Sequence, residues 1–172
     1  MQDIDSLVRS FIYASKGFVW MLSHERNFRI HITCLIYMAF FLLRYDFFVL
    51  SKVEAAILVL VSALVIGGEM INTGIEKADD AFTREKRYAI KVSKDVAAGA
   101  VLVFAISAVI TGIILLYQPE AFVALFAHYK ENPYKIALLL LSFVFAIIFI
   151  FKCDAKILKK TKIYKKVKKG KK

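Results

Sequence analysis

The chain lacks the motifs by which most soluble enzymes hold phosphates or catalytic metals. It has no Walker loop, no glycine-rich kinase loop and no HExxH zinc motif. His24 and His31 are seven positions apart and form only a weak metal signal. Cysteine is scarce as well, since Cys34 and Cys153 lie far apart, in or beside apolar segments. We interpret the two thiols as small apolar side chains rather than as a disulfide or a metal pair.

Acidic residues are fewer than basic ones, and the net charge of +11 is concentrated near the end of the sequence. Residues 152–172 contain eleven Lys and one Asp, so the residues before them have a net charge of only +1. We therefore predict that this segment is a Lys-rich cytoplasmic tail facing anionic lipid. We expect no nucleic-acid binding, because Tyr164 is the only aromatic side chain among these lysines.

Apolar sequence, by contrast, is abundant: 59% of the residues are hydrophobic, and the mean hydropathy is +0.61. A helix that crosses a hydrocarbon core of about 30 Å needs roughly 20 such residues. The sequence therefore predicts an all-α integral membrane protein with four spans, at about residues 30–50, 54–75, 96–117 and 134–151. Residues 118–133, bounded by the only two prolines, are expected to form an external connection.

A different pattern precedes the first span. Residues 4–23 place apolar side chains at helical spacing with charged residues such as Lys16 between them, which predicts an amphipathic helix in the membrane interface. Basic residues are frequent before the first span, between the second and third spans, and after the fourth. Because basic residues favour cytoplasmic loops, we predict a multi-pass protein with both termini in the cytoplasm.

The second span ends in a line of polar residues. With a turn of about 100° per residue, Glu69, Asn72, Thr73, Glu76 and Asp80 share one helical face over an axial length of about 16 Å. A carboxylate at the depth of Glu69 costs several kcal/mol unless it is paired, and we expect no basic partner for it on the other spans. Ionisable groups in this position mark ion paths, proton relays or active sites.

Two further polar clusters occur at the predicted cytoplasmic edge. Lys94 and Asp95 begin the third span, where the ammonium group can meet phosphate oxygens and the carboxylate can orient it. Small residues at positions 97–100 follow and favour close helix packing. Glu25 precedes the first span. Carboxylate and amide oxygens from three helices suit Mg²⁺, which binds through one or two carboxylates together with substrate phosphates.

The polar pattern closely resembles one family. Glu69-x-x-Asn72-Thr73-x-Ile75-Glu76-x-x-x-Asp80, followed by Lys94-Asp95-x-Ala97-Ala98-Gly99-Ala100-Val101, is similar to the signature of the small bacterial integral-membrane diacylglycerol kinases, which include undecaprenol kinases. Lys16-Gly17 and Glu25-Arg26-Asn27-Phe28-Arg29 also match. The resemblance covers about residues 5–117, so we predict a membrane lipid kinase domain over residues 1–117 followed by an additional span.

The resemblance implies a homotrimer in the bacterial inner membrane that transfers the γ-phosphate of MgATP to the hydroxyl of a membrane lipid alcohol. It implies that Glu69 is the catalytic base and that Glu25 and Glu76 hold Mg²⁺. It also implies a nucleotide-binding set formed by Lys16, Glu25, Asn72, Glu76, Asp80, Lys94 and Asp95. The fourth span and the Lys-rich tail depart from the family.

Two alternatives stay open at this point, a small transporter subunit and a non-catalytic membrane scaffold. A transporter predicts ionisable groups throughout the membrane, whereas here they stop at one edge. A non-catalytic scaffold does not explain why polar residues line the helical face around Glu69. The acceptor, diacylglycerol or undecaprenol, cannot be read from the spans.

Overall fold

The computed structural model describes residues 2–82 and 88–152, and within these ranges all regular structure is helical. This confirms the predicted all-α class. The predicted Lys-rich tail lies outside the described residues from position 153 onward. The helices are α1 (Gln2–His24), α2 (Arg26–Arg44), α3 (Lys52–Phe82), α4 (Tyr88–Leu116), α5 (Pro119–Glu131) and α6 (Pro133–Lys152).

Among the described residues, four helices are long and apolar enough to cross a membrane, as predicted: Arg26–Arg44, Lys52–Ala81, Tyr88–Leu116 and Pro133–Phe151. Their bounds differ from the sequence-based ones. The first span begins earlier and ends at Arg44, where charged residues interrupt the apolar run. The second continues past its apolar part, because helical hydrogen bonds do not require apolar side chains. At about 1.5 Å per residue it is longer than the hydrocarbon core, so its polar end reaches the interface.

The segment predicted to form an external connection contains a helix. Helix α5 follows Gln118, with Pro119 in its first turn, and Asn132 caps its end before Pro133. Proline suits the first helical position, because its missing N–H removes no helical hydrogen bond there and its fixed φ is compatible with the helix.

The fold divides into two compact units. The first contains the described residues up to Ile30 and those from Leu140. In it, Phe28 is fully buried and meets the ring of Phe18 edge-on, with 5.2 Å between centroids. Arg29, only 6% exposed, donates from Nε and Nη2 to the carbonyl oxygen of Ile150 at 3.0 and 2.9 Å.

The same guanidinium donates from Nη1 to the carbonyl oxygen of Leu22 at 3.2 Å. Leu22 is in the last turn of α1, and Ile150 is in the last turn of α6. Carbonyls at helix C-termini lack an intrahelical partner and carry partial negative charge. One buried cation therefore satisfies the C-terminal ends of two helices at once.

The second unit runs from His31 to Leu139 and contains the packed pair α3 and α4. The two helices are antiparallel, since Asp80 meets Lys94 while Gly68 lies against Val101 and Phe104. A Cβ atom added at Gly68 would lie 2.8 Å from Cδ2 of Phe104. Glycine at this position thus allows the ring of Phe104 to contact the backbone of α3.

Candidate active site

The predicted polar face of α3 exists, and its deepest members are buried. Glu69 is 5% exposed and Thr73 is 4% exposed, whereas Asn72 and Glu76 are partly exposed and Asp80 is exposed. Exposure therefore rises toward the end of the helix. A carboxylate on the apolar side and progressively more accessible groups beyond it are what a site at a lipid–water boundary requires.

His31 on α2 is the polar neighbour of the buried carboxylate. Its Nε2 lies 3.4 Å from Oε1 of Glu69. The expectation that no basic partner lies at this depth was therefore wrong, because a histidine near the start of α2 reaches the carboxylate. On the α4 side, the neighbours of the adjacent Gly68 are apolar. A histidine N–H can donate to one carboxylate oxygen and leave the other free to accept.

Asn72 and Glu76 form a pair one helical turn apart on α3. The Asn72 side-chain Nδ2 donates to Oε1 of Glu76 at 3.2 Å. Its Oδ1 is buried and accepts no hydrogen bond within the described residues, and the same is true of Oδ2 of Asp79. A buried oxygen left without a donor costs on the order of 1–3 kcal/mol. Such atoms are therefore good candidates for ligand contacts.

Lys94 on α4 pairs with Asp80 on α3. Its Nζ lies 2.5 Å from Oδ1 of Asp80; the Lys94 side chain is partly exposed and that of Asp80 is exposed. We predicted that Asp95 orients Lys94, and this was wrong, because Asp80 pairs with it instead. Asp95 is exposed, and neighbouring residues on a helix point about 100° apart. Because an ammonium group has three donors, Lys94 keeps capacity for a phosphate oxygen.

The predicted small-residue face is only partly used within the chain. Ala97 is buried, at 9% exposure, but residues 98–100 are exposed. A close contact between α3 and α4 is made instead at Gly68, which was not predicted as a packing position.

Two predicted site residues lie in the other compact unit. Lys16 is on α1, with its Nζ 5.2 Å from the centroid of the Tyr13 ring. Glu25 is the partly exposed residue between α1 and α2, and its carbonyl accepts the N–H of Arg29 at 3.3 Å. Their predicted roles in nucleotide and Mg²⁺ binding stay predictions, while Glu69, Asn72, Glu76, Asp80 and Lys94 are arranged along one side of the α3–α4 pair.

The oxygen donors of this side fit Mg²⁺ held jointly with a nucleotide. Within the part of the chain that the structure describes, no group of three or more His, Cys, Asp or Glu side chains could hold a metal ion alone. Mg²⁺ does not require one, because it commonly binds through one or two carboxylates plus substrate phosphates. The Glu76 carboxylate and the unpaired Oδ1 of Asn72 are two suitable donors on adjacent turns.

The sequence matches a known protein family. A family model described as prokaryotic diacylglycerol kinase matches residues 12–116, which run from α1 to the end of α4. The chain belongs to the prokaryotic diacylglycerol kinase family. This confirms the resemblance inferred from the polar pattern of α3 and α4. Helices α5 and α6 lie beyond the matched residues.

Two curated relatives carry kinase names. A diacylglycerol kinase from Synechocystis sp. is 38% identical over 117 residues, which cover 66% of this chain and 64% of the relative. An undecaprenol kinase from Bacillus subtilis is 33% identical over 121 residues, covering 69% of this chain and 93% of the relative. This chain thus spans somewhat less than two thirds of the Synechocystis protein. No solved structure matches the chain.

Proposed function

We propose that this member of the prokaryotic diacylglycerol kinase family transfers the γ-phosphate of MgATP to the hydroxyl of a membrane lipid alcohol, either diacylglycerol or undecaprenol. One observation supports this above all others. A buried carboxylate, Glu69, is followed along the same helical face by oxygen donors and then by a lysine from the neighbouring helix. A proton acceptor at lipid depth is thereby combined with a phosphate-binding group nearer to water.

In this proposal Glu69 is the general base. Its carboxylate accepts the proton of the lipid hydroxyl while the hydroxyl oxygen attacks the γ-phosphorus and ADP leaves. The acceptor need not leave the bilayer, because the base is buried in a span rather than placed in a water-filled cleft.

The nucleotide is positioned by the more exposed end of the site. Lys94 contacts phosphate oxygens with the donors that Asp80 does not use, and Asp95 and Lys16 support nucleotide binding. Glu76 would hold Mg²⁺, and Asn72 would supply a further oxygen; the family resemblance assigns the same role to Glu25. When bound, the ion neutralises negative charge on the phosphates. Phosphoryl transfer depends mainly on such positioning and neutralisation, and it needs no covalent intermediate on the protein.

The names of the two relatives support both acceptors. The Synechocystis relative is named a diacylglycerol kinase and the Bacillus subtilis relative an undecaprenol kinase, at comparable identity. By family resemblance we further propose a homotrimer in the bacterial inner membrane with both termini cytoplasmic. The basic residues of the chain support that orientation.

The test is a transfer assay with radiolabelled ATP on purified protein reconstituted with diacylglycerol and undecaprenol in separate vesicles. We expect label in one lipid or in both, dependent on Mg²⁺, and no more than background with Glu69→Gln. Absence of label from both lipids with the parent protein, under conditions where an authentic family enzyme is active, would contradict the proposal.

A further inference from the structure

Helix α5 lies outside the residues that match the family. It has 13 residues and is therefore about 20 Å long, which is too short to cross a bilayer. It connects α4 and α6, both of which are long and apolar enough to span. Because α4 ends and α6 begins on either side of it, α5 must lie at one surface of the membrane.

One face of α5 is fixed to the loop after α2. Ala121 is 3% exposed, and the hydroxyl of Tyr129 is 3.1 Å from that of Tyr45. Just before the helix, the Gln118 side chain pairs with the backbone of Val49. Its Oε1 accepts the Val49 N–H at 3.0 Å, and its Nε2 donates to the Val49 carbonyl at 3.0 Å. The Gln118 amide thus pairs with both backbone polar groups of Val49, as a neighbouring β-strand would.

These contacts also show at which end of the α3–α4 pair α5 lies. Val49 precedes the start of α3, whereas Asp80, with its partner Lys94, is near the other end of that helix. The separation is about 40 Å at 1.5 Å per residue, which is the thickness of a bilayer with its headgroups. Helix α5 therefore lies at the membrane surface opposite the candidate active site.

The other face of α5 is apolar and exposed. Phe122, Val123 and Phe126 are 47%, 70% and 74% exposed, and the Phe122 ring also meets the Phe48 ring edge-on. The three exposed side chains fall within a sector of about 100° of the helix, whereas Glu120 and Glu131 lie outside this sector. Near the C-terminal end of α5 the sector also includes the exposed Lys130, whose apolar stem can lie along the face while its ammonium group reaches water. The helix therefore has a docking face, an apolar face and an acidic edge.

We propose that α5 is an interfacial helix whose Phe122, Val123 and Phe126 insert into the acyl-chain boundary of the leaflet opposite the candidate active site. Amphipathic helices with aromatic residues on one side bury that side at this boundary. Tyr45 and Tyr129 lie at the same level, where the amphipathic ring of tyrosine is favoured. The lipid that surrounds α4 and α6 is continuous with the layer that meets this face.

A second copy of the chain is a weaker occupant for the same surface. Stable protein–protein interfaces involve about 20–30 residues on each side, and the apolar face of α5 offers three large side chains. Water is weaker still, because it would leave both phenylalanines hydrated beside an available lipid phase.

The experiment measures the depth of single tryptophans in α5. The natural sequence has one tryptophan, at position 20, so Trp20→Phe provides a silent background. Phe126→Trp and, as the matched control on the acidic edge, Glu120→Trp are each introduced and reconstituted in phosphatidylcholine vesicles. Quenching is then compared between acyl-brominated phosphatidylcholine and aqueous acrylamide.

We expect brominated lipid to quench Phe126→Trp by more than half and acrylamide to quench it weakly, with the reverse order for Glu120→Trp. Phe122→Trp, one turn away, should behave like Phe126→Trp and serves if that variant does not fold. Quenching of the 122 and 126 tryptophans by acrylamide alone would place the face in water. Quenching by neither agent would place it against a second copy. Either result overturns the proposal.

Discussion

The two ends of the α3–α4 pair differ in how their polar side chains are hydrogen-bonded. At the α5 end, the amide of Gln118 is paired with Val49 and the hydroxyl of Tyr129 with Tyr45. At the other end, Oδ1 of Asn72 is buried and has no donor within the described residues. The polar side chains named at the α5 end are hydrogen-bonded to each other or to the backbone, whereas the other end has a buried acceptor that can still accept a hydrogen bond. Unused capacity at a buried atom is the mark of a site that gains from a ligand.

The largest effect that this contrast predicts is at Glu69. Glu69→Gln keeps size and hydrogen bonding but cannot take a proton, so kcat should fall by about a hundredfold or more with little change in the KM for ATP. Steady-state kinetics in vesicles measure both constants. Turnover equal to that of the parent protein would show that the base lies elsewhere.

Glu76→Gln should fail in a different manner. The substitution removes the charge of a proposed Mg²⁺ ligand while preserving the acceptor for Asn72, so the Mg²⁺ concentration at half-maximal rate should rise by about tenfold or more. A Mg²⁺ titration of both variants separates the two roles. A Mg²⁺ requirement that is unchanged in Glu76→Gln but raised in Glu69→Gln would reverse the assignment.

A smaller effect is expected at His31, because it acts through Glu69. His31→Leu should lower kcat by about tenfold, equal to about 1.4 kcal/mol of transition-state stabilisation, with the KM for ATP unchanged. His31→Gln can place an N–H donor near Oε1 of Glu69 and should stay within about threefold of the parent. Equal loss in both variants, accompanied by equal loss of thermal stability, would mean that the histidine only packs.

The next largest effect is expected at the contact between α3 and α4. Gly68→Ala forces the ring of Phe104 to move and should destabilise the protein by about 1–3 kcal/mol. Gly67→Ala is the matched control, since a Cβ added there meets nothing within 4 Å, and it should change stability by less than about 0.5 kcal/mol. Unfolding titrations in detergent provide the comparison. A large loss at Gly67 would indicate that another subunit covers that face.

The smallest effect is expected at the α5 end of the α3–α4 pair. Tyr129→Phe removes one hydrogen bond and should cost about 0.5–1.5 kcal/mol without altering kcat. Burial, followed by the hydrogen bond with Tyr45, raises the pKa of Tyr129 to about 12, from an ordinary value of 10.0. The stabilisation is therefore fully present below pH 10 and is lost as pH rises toward 12. Thermal melts should show a constant difference between variant and parent from pH 6 to about pH 9, and a shrinking difference would contradict this.

The sequence predicted whatever depends on the run of residues along one helix. The four spans follow from the length of the apolar runs, and the shared face of Glu69, Asn72 and Glu76 follows from a turn of about 100° per residue. Contacts between helices were harder to predict. Spacing within α3 could not reveal that His31 of α2 reaches Glu69, although a histidine inside an apolar span was an available signal.

The partner of Lys94 had a local signal that could have been used. Lys94 and Asp95 are adjacent, and adjacent residues on a helix do not face each other, so a partner such as Asp80 on another helix was the better expectation.

The bridge made by Arg29 has a consequence for biogenesis. Its guanidinium joins a carbonyl near the end of α1 to one near the end of α6, and the described residues up to Ile30 form one compact unit with the described residues from Leu140. Translation delivers α1 well before α6, and chains generally acquire structure in the order of synthesis. The unit that contains α1 therefore cannot close until Ile150 has left the ribosome, so α1 is secured long after it is made.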